Sequence, residues 1–142
     1  TNANIDTEQV VKDTIKEIGY NKSNSGVDPS DIEVLSKLHS QSPEIAQGVD
    51  SEDLASQGAG DQGIMFGYAC KETPELMPLP IQISHRLTEK LTDLRKSGEL
   101  QWLRPDGKSQ VSVAYENGSP ISIEKTVIAT QHNDMIKEYG FP

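Results

Sequence analysis

Cysteine is almost absent from the sequence, since Cys70 is the only one among 142 residues. The chain therefore cannot form an internal disulfide or a cysteine-based metal cluster, and a reducing, intracellular compartment is favoured. The sequence also lacks an apolar run of about 20 residues, the length that spans a membrane, and it has no basic-then-apolar leader. These absences predict a cytoplasmic protein that does not enter the membrane.

Positive charge is scarce as well. The sequence has 13 Lys and Arg residues against 22 Asp and Glu residues, which gives a formal net charge of -9. A surface with this balance does not favour nucleic-acid phosphates or an anionic membrane. A small phosphorylated ligand is still compatible with it, because a few well-placed cations or bound metal ions act locally.

Two well-known loop motifs, one for nucleotides and one for hydrolases, are missing: the sequence has no GxxxxGK[ST] and no GxSxG. Its glycine cluster, Gly58, Gly60 and Gly63, surrounds Asp61 with the spacing GxGxxG, but it follows a polar segment and precedes an apolar run, whereas the dinucleotide-binding loop follows a strand and opens a helix. Glycines this close together let the backbone approach a ligand or adopt positive φ. The cluster predicts a loop whose carboxylate could accept a hydrogen bond from a substrate amine.

The apolar run after this loop, Ile64–Cys70, is short and contains aromatic residues, so it predicts a fully buried strand. Asp61 would then sit on a loop anchored to a core strand, where functional residues are often found. The alternative is a tight turn before a core strand that has no functional role.

The amino-terminal part of the chain alternates between ordered and polar segments. Asp6 is a capping residue, and the apolar spacing that follows predicts a helix over Thr7–Ile18. Residues 20–30 read as a loop, and residues 31–38 alternate as a half-buried strand does. The long polar segment 39–57 predicts a mobile lid over a ligand site or, alternatively, a disordered linker.

The carboxy-terminal half predicts a helix followed by a hairpin. An apolar stripe runs from Pro80, which suits a first helical turn, to a stop at Gly98. Strand-like alternation over Val111–Tyr115 resumes at Ile121 after the turn pair Asn117-Gly118. The run Thr126–Thr130 is expected to continue the second arm or to form a strand of its own.

A polar turn is predicted between these two elements. Trp102 and Leu103 are candidate core residues, and the segment Arg104–Lys108 that follows them has the composition of a turn. Its Lys108 could meet a phosphate, and its Asp106 could accept from a sugar hydroxyl or hold a metal-bound water. The alternative is a surface salt bridge between these two side chains.

Several short strings of the sequence occur together in one order. They are EIGY at 17–20, QSPEIAQGVD at 41–50, GAGDQGIMFGYA at 58–69, LMPLPI and HRL around Pro80 and His85, LRPDGKSQV at 103–111, and TQH at 130–132. In this order they resemble the S-adenosylmethionine synthetase (methionine adenosyltransferase) family. The resemblance covers nearly the whole chain.

The resemblance implies an activity and a set of site residues. In that reaction the sulfur of L-methionine attacks the 5′ carbon of ATP and displaces the triphosphate, which is then hydrolysed to pyrophosphate and phosphate with Mg²⁺ and K⁺. Gln41 and Asp61 are implied to bind methionine, with Asp61 holding its ammonium group. Asp106, Gly107 and Lys108 are implied to bind ATP, with Lys108 as the catalytic residue near the triphosphate and the 5′ carbon.

The resemblance also implies an α+β fold with mixed or antiparallel sheets and helices on one face, repeated in three similar domains. Residues 1–40 are expected to end the amino-terminal domain, 41–56 to form a mobile active-site loop, and 57–142 to form most of the central domain. A homodimer or a dimer of dimers is expected, with active sites between two subunits.

The chain begins at Thr1 rather than Met, and the family's Mg²⁺ and K⁺ ligands are expected mostly outside it, with no metal ligand within. The chain is therefore expected to be an internal part of the enzyme and to be inactive by itself. Two alternatives stay open. One is a non-catalytic binding or regulatory subunit that retains the scaffold, and the other is an acidic α+β interaction domain with no small-molecule site.

Overall fold

The computed structural model of the protein describes residues 4–140. Within that range the chain has an α+β fold, in which the last helix packs on a two-stranded antiparallel sheet. This confirms the predicted fold class. The helices and strands are α1 (Thr7–Ile18), α2 (Lys22–Ser25), α3 (Pro43–Val49), α4 (Leu79–Lys96), β1 (Leu103–Glu116) and β2 (Ser119–His132). Short 3₁₀ turns occupy Pro29–Asp31, Leu54–Ser56 and Asp134–Tyr139.

Helix α1 has the predicted bounds. The side chain of Asp6 accepts a hydrogen bond of 2.9 Å from the backbone N–H of Gln9, which satisfies one of the free donors at the start of the helix. Gly19 ends the helix with a φ of 110°, a backbone conformation that residues other than glycine rarely adopt. The capping pair and the glycine stop are therefore sufficient to place this helix from sequence.

The segment 20–30 is more ordered than the predicted loop, since it contains α2 and the start of the first 3₁₀ turn. Asp28 organises the turn, because its side chain accepts from the backbone N–H and the hydroxyl of Ser30 at 3.0 and 2.7 Å. Such local side-chain bonds favour short turns over regular structure. The residues that predicted a loop therefore stabilise a defined turn instead.

The hairpin of β1 and β2 is as predicted. Asn117 and Gly118 form its two-residue turn with φ values of 50° and 77°. Positive φ at both positions gives a turn whose twist matches that of the paired strands. Strand β2 continues past Thr130 to His132, so the predicted second arm is also confirmed.

Helix α4 covers one part of the sheet. It begins beside Pro80, as predicted, and Gly98 follows its last turn with a φ of 77°. Among the described side chains, the apolar core is limited to Leu103, which is 4% exposed. The hydroxyl of Ser109 on β1 donates to the carbonyl oxygen of Ser84 on α4 at 2.7 Å and ties the two elements together.

Trp102, the other predicted core residue, is half-buried rather than buried. Its ring centroid lies 6.2 Å from that of Tyr139, in a tilted arrangement typical of aromatic pairs. Its carbonyl oxygen accepts from the backbone N–H of Asn133 at 2.9 Å. Trp102 therefore fastens the last 3₁₀ turn to the start of the sheet.

Two predicted strands are wrong. Residues 32–42 and 62–70 have neither helical nor strand structure. Most of their apolar side chains face solvent, with Leu35 81% and Phe66 91% exposed, although Ile32 and Val34 are half-buried. A strand needs a hydrogen-bonded neighbour, and β1 and β2 in the described part of the chain pair with each other. Both segments have the apolar composition of a strand, but within residues 4–140 neither of them pairs with β1 or β2.

The predicted loop over residues 39–57 is wrong in part, because α3 lies within it. Ser42 caps this helix by accepting from the backbone N–H of Ile45 at 3.4 Å, and Pro43 opens it. Serine followed by proline is a common helix start, which the polar composition of the segment concealed. Mobility of this segment stays a prediction.

Glu72 connects three parts of the chain through one carboxylate oxygen, Oε2. That oxygen accepts from the hydroxyl of Tyr115 on β1 at 2.6 Å and from the first backbone N–H of α4, on Leu79, at 2.8 Å. The hydrogen bond from Tyr115, and then the one from Leu79, hold the pKa of Glu72 below its ordinary value of 4.5. The same bond, together with burial, raises the pKa of Tyr115 to about 12.

Replacing Tyr115 with Phe is expected to lower the urea midpoint of unfolding at neutral pH, because it removes the donor to Glu72. The lowered pKa of Glu72 means that its contribution is full above pH 4.5 and is lost as the pH falls through the folded-state pKa. The raised pKa of Tyr115 means that its contribution is full below pH 10.0 and is lost towards pH 12. The difference between the native chain and the variant should therefore shrink at both extremes. Urea titrations followed by Trp102 fluorescence measure it.

Tyr68→Phe is the matched control, because the Tyr68 side chain is 77% exposed and removal of its hydroxyl leaves the Glu72 contacts intact. A Tyr115→Phe variant whose stability parallels that of the native chain at every pH would show that the Glu72 bond does not contribute.

Candidate functional site

Gln41 and Asp61, predicted to share a site, lie close together. A Cβ placed on Gly60, the residue before Asp61, would lie 3.4 Å from Gln41 Nε2 and 3.5 Å from Gln41 Oε1. These distances are those of ordinary van der Waals contact, so the Gln41 amide lies against the loop at Gly60. The structure thus brings the amide and the carboxylate-bearing loop together across 19 intervening positions of sequence, from 42 to 60.

Helix α3 positions the Gln41–Asp61 corner, the place where Gln41 lies against the loop that carries Asp61. Gln41 directly precedes its capping residue, Ser42, and Val49 ends it. The carbonyl oxygen of Val49 accepts from the backbone N–H of Gly58 at 2.8 Å, and a Cβ on Gly58 would lie only 3.1 Å from Val49 Cα. Glycine at position 58 therefore permits the loop to fold back along α3.

Asp61 is exposed, and one of its carboxylate oxygens is held locally. The backbone N–H of Gln62 donates to Asp61 Oδ1 at 2.7 Å. The other oxygen, Asp61 Oδ2, has no hydrogen-bond or ion-pair partner within residues 4–140. A carboxylate fixed through one oxygen and open at the other can accept a hydrogen bond from a cationic ligand.

The predicted ATP-binding residues line a second feature, a cleft of about 390 Å³ along the open end of the hairpin. Asp106, Gly107 and Lys108 form its β1 side, and Ala129 to Gln131 form its β2 side. The hydroxyl of Thr130 lies 3.2 Å from the carbonyl oxygen of Asp106, to which it can donate across the strands. All three predicted residues are exposed to the cleft.

The predicted turn at Arg104–Lys108 is wrong, because these residues belong to β1. The strand is irregular there: Leu103 pairs with His132 and Gly107 with Thr130, so four steps along β1 match two along β2. Pro105 lacks the N–H needed for a regular ladder, which favours such a bulge. The bulge keeps Asp106 and Lys108 at the strand surface, as the turn would have done.

The cleft and the Gln41–Asp61 corner are two separate groups of residues, since neither Gln41 nor Asp61 lines the cleft. The alternative explanation of Asp106 and Lys108, a salt bridge between them, is wrong: the ion pairs found within the described residues do not include it. Lys108 therefore presents an ammonium group without a carboxylate partner in that part of the chain.

Sequence reasoning did not assign a role to Thr130 or Gln131, although both line the cleft. The signal that could have identified them is a change in composition: the apolar residues Val127–Ala129 are followed by the polar residues Thr130 and Gln131 near the end of β2. Their register with Gly107 became visible only with the strand pairing.

Residues 4–140 contain no group of three or more His, Cys, Asp or Glu side chains placed to hold a metal ion. No helix among them has the length and hydropathy needed to span a membrane.

A family model described as the central domain of S-adenosylmethionine synthetase matches residues 56–140. The matched region contains the glycine-rich loop with Asp61, all of α4, both strands and the whole lining of the cleft.

Proposed function

Because the chain belongs to the S-adenosylmethionine synthetase family, we propose that it supplies substrate-binding residues for the synthesis of S-adenosylmethionine from L-methionine and ATP. Phosphate and pyrophosphate are the other products. The observation that carries the proposal is the cleft in which Asp106, Gly107 and an unpaired Lys108 lie together, within the region matched by the family model.

Lys108 acts on ATP in this proposal. As the sulfur of methionine forms its bond to the 5′ carbon, the bond from that carbon to the triphosphate oxygen breaks, and negative charge collects on the leaving triphosphate. An ammonium group close to that oxygen stabilises the charge more in the transition state than in the bound substrate. Asp106 would accept from the ribose, and Gly107 would let the phosphates approach the backbone.

Gln41 and Asp61 act on methionine. The Asp61 carboxylate accepts from the ammonium group of the amino acid, while the Gln41 amide contacts the same ligand from the start of α3. Support comes from the position of the Gln41 amide against Gly60 and from the open Oδ2 of Asp61. A charge-assisted hydrogen bond of this kind fixes the orientation of the amino acid as well as holding it.

Mg²⁺ and K⁺ are general requirements of the family, but residues 4–140 contain no group of three or more His, Cys, Asp or Glu side chains placed to hold a metal ion. We therefore assign no step to a metal ligand of this chain. In the proposal, the ions that neutralise the triphosphate are held by groups outside residues 4–140.

The domain and subunit assignments are also proposals. Residues 1–40 would end an amino-terminal domain, 41–56 would form a mobile loop, and 57–142 would form most of the central domain. A homodimer or a dimer of dimers in the cytoplasm fits this activity. The exposed apolar run from Ile64 to Tyr68 supports burial of this segment against another part of the assembly.

Asp61→Asn tests the methionine site. Loss of the negative charge is expected to weaken methionine binding by about tenfold to a hundredfold, the effect of losing one hydrogen bond between charged groups. Equilibrium dialysis with labelled methionine measures the dissociation constant. It is carried out on the polypeptide as it is made in the cell. Asp93→Asn, which removes the same charge from an exposed position on α4, is the control.

Formation of S-adenosylmethionine in the same samples separates the enzyme from its main rival. A regulatory subunit would bind methionine or ATP without turnover, and an interaction domain would bind neither. Equal methionine binding by the native chain and by Asp61→Asn would refute the role given to Asp61.

A further inference from the structure

A second, smaller cavity of about 50 Å³ lies between α4 and β1. It shares Gly107 and Thr130 with the larger cleft, so the cavity and the cleft adjoin at these two residues. The polar side chains of its wall are those of Thr88, Thr92, Arg95, Arg104 and Thr130.

Its two arginines are half-buried cations that lack a counter-charge. Within residues 4–140, the ion pairs found do not involve Arg95 or Arg104. Arg86 on the same helix is 60% exposed, yet it pairs with Glu75 and Glu89 at 2.9 Å each. The chain has a net charge of -9, so carboxylates are abundant. Glu75 and Glu89 nevertheless pair with the more exposed Arg86 and not with Arg95 or Arg104.

The charge at Arg95 is compensated only in part. A Cβ on Gly19 would lie 2.5 Å from Arg95 Nη1, so the guanidinium lies against the end of α1. The carboxy-terminal end of a helix carries about half a negative charge. The cavity therefore retains a net positive charge from two guanidinium groups.

The threonines of the wall do not supply the missing negative charge. The hydroxyl of Thr88 bonds to the carbonyl oxygens of Ser84 and His85 at 3.2 and 3.0 Å, and that of Thr92 bonds to the carbonyl oxygen of Thr88 at 3.1 Å. Thr130 bonds in the same way to Asp106. These side chains are neutral and already paired with the backbone.

We propose that this cavity binds a small inorganic oxyanion such as phosphate, held between Arg95 and Arg104. A guanidinium fork binds an oxyanion through two parallel hydrogen bonds, and half-buried charges are stable when such a partner is present. A cavity of 50 Å³ is large enough for one small ion and too small for a nucleotide. The site is thus distinct from the cleft assigned to ATP, and it does not depend on the proposed function.

Phosphate binding by the 142-residue chain tests the proposal. Phosphorus NMR line widths are followed during titration with inorganic phosphate, in a buffer whose ionic strength is fixed with a bulky organic anion. The native chain should show saturable broadening. Arg95→Gln and Arg104→Gln should each bind phosphate about tenfold more weakly, as loss of a charged hydrogen bond predicts. Arg86→Gln, which removes an equal charge, should bind like the native chain.

Lys108→Met distinguishes this site from the cleft. Any phosphate that binds in the cleft through Lys108 is lost in this variant, while the binding that depends on Arg95 and Arg104 should remain; loss of all saturable binding would place the phosphate in the cleft and refute the proposal. The proposal also fails if the native chain shows no saturable binding, or if the Arg95 and Arg104 variants bind as it does. Circular dichroism checks that the variants fold, and should Arg104→Gln fail to fold, Arg95→Gln decides alone.

Discussion

Replacing Lys108 with methionine is expected to lower the rate of S-adenosylmethionine formation by about a hundredfold to a thousandfold, the usual effect of removing one group that stabilises transition-state charge. Methionine preserves the length and the apolar stem of the side chain and removes its ammonium group. Lys108 has no carboxylate partner within residues 4–140, so the substitution leaves no buried acid behind. The effect should therefore fall on the chemical step rather than on folding.

The measurement is the turnover rate at saturating ATP and methionine, with the polypeptide as it is made in the cell. A group that acts mainly in the transition state lowers kcat and kcat/KM together, whereas a group that only binds ATP raises KM. Lys90→Met, an exposed substitution on α4 that changes the net charge equally, should retain full activity. If the Lys108 and Lys90 variants turned over at the same rate, Lys108 would not be catalytic.

Replacing Leu103 with alanine is expected to destabilise the chain by about 2–5 kcal/mol, the range for truncation of a buried leucine. Leu103 is 4% exposed and is the buried apolar side chain among those that the structure describes. Since domains are typically stable by only about 5–15 kcal/mol, this loss removes much of what holds α4 against the sheet. Urea unfolding followed by Trp102 fluorescence should show a lower midpoint or no cooperative transition.

Leu35→Ala is the matched control, because it removes the same atoms from a side chain that is 81% exposed. Its effect should stay within about 0.5 kcal/mol, as for most surface substitutions. Similar midpoints for the two variants would mean that Leu103 is not the centre of the packing between α4 and the sheet.

Sequence was sufficient for elements whose stability is local. The Asp6 cap and the Gly19 stop determine α1, and the Asn117-Gly118 turn determines the hairpin. In each case, the bonds or backbone angles that stabilise the element lie within a few residues of the signal. These elements could therefore be placed without knowledge of the rest of the fold.

Sequence was not sufficient for elements that depend on distant partners. The run Ile64–Cys70 has the composition of a core strand, but Phe66 is 91% exposed because no neighbouring strand of the described chain reaches it. At Arg104–Lys108 the turn-like composition is real, yet pairing with β2 incorporates these residues into a bulged strand. Strand pairing is decided by tertiary context, which outweighs local composition.

The candidate site divides in the same way. The residue types at Asp61, Asp106 and Lys108 could be chosen from sequence, since charged groups beside glycines stand out. The contact of Gln41 with Gly60 depends on α3 and the fold-back of the loop. The contribution of Thr130 depends on the strand register. Pairwise placement of this kind is not encoded in spacing alone.

The compact arrangement of α4, β1 and β2 has a consequence for how quickly the chain can fold. The strands are joined by two residues, and the bond from Ser109 to Ser84 closes a loop of 25 residues. Contacts between neighbours in sequence cost little chain entropy to form, and hairpins close in about 1–10 μs. The helix and hairpin can therefore form early as one unit, because the contacts that join them lie within residues 79–132.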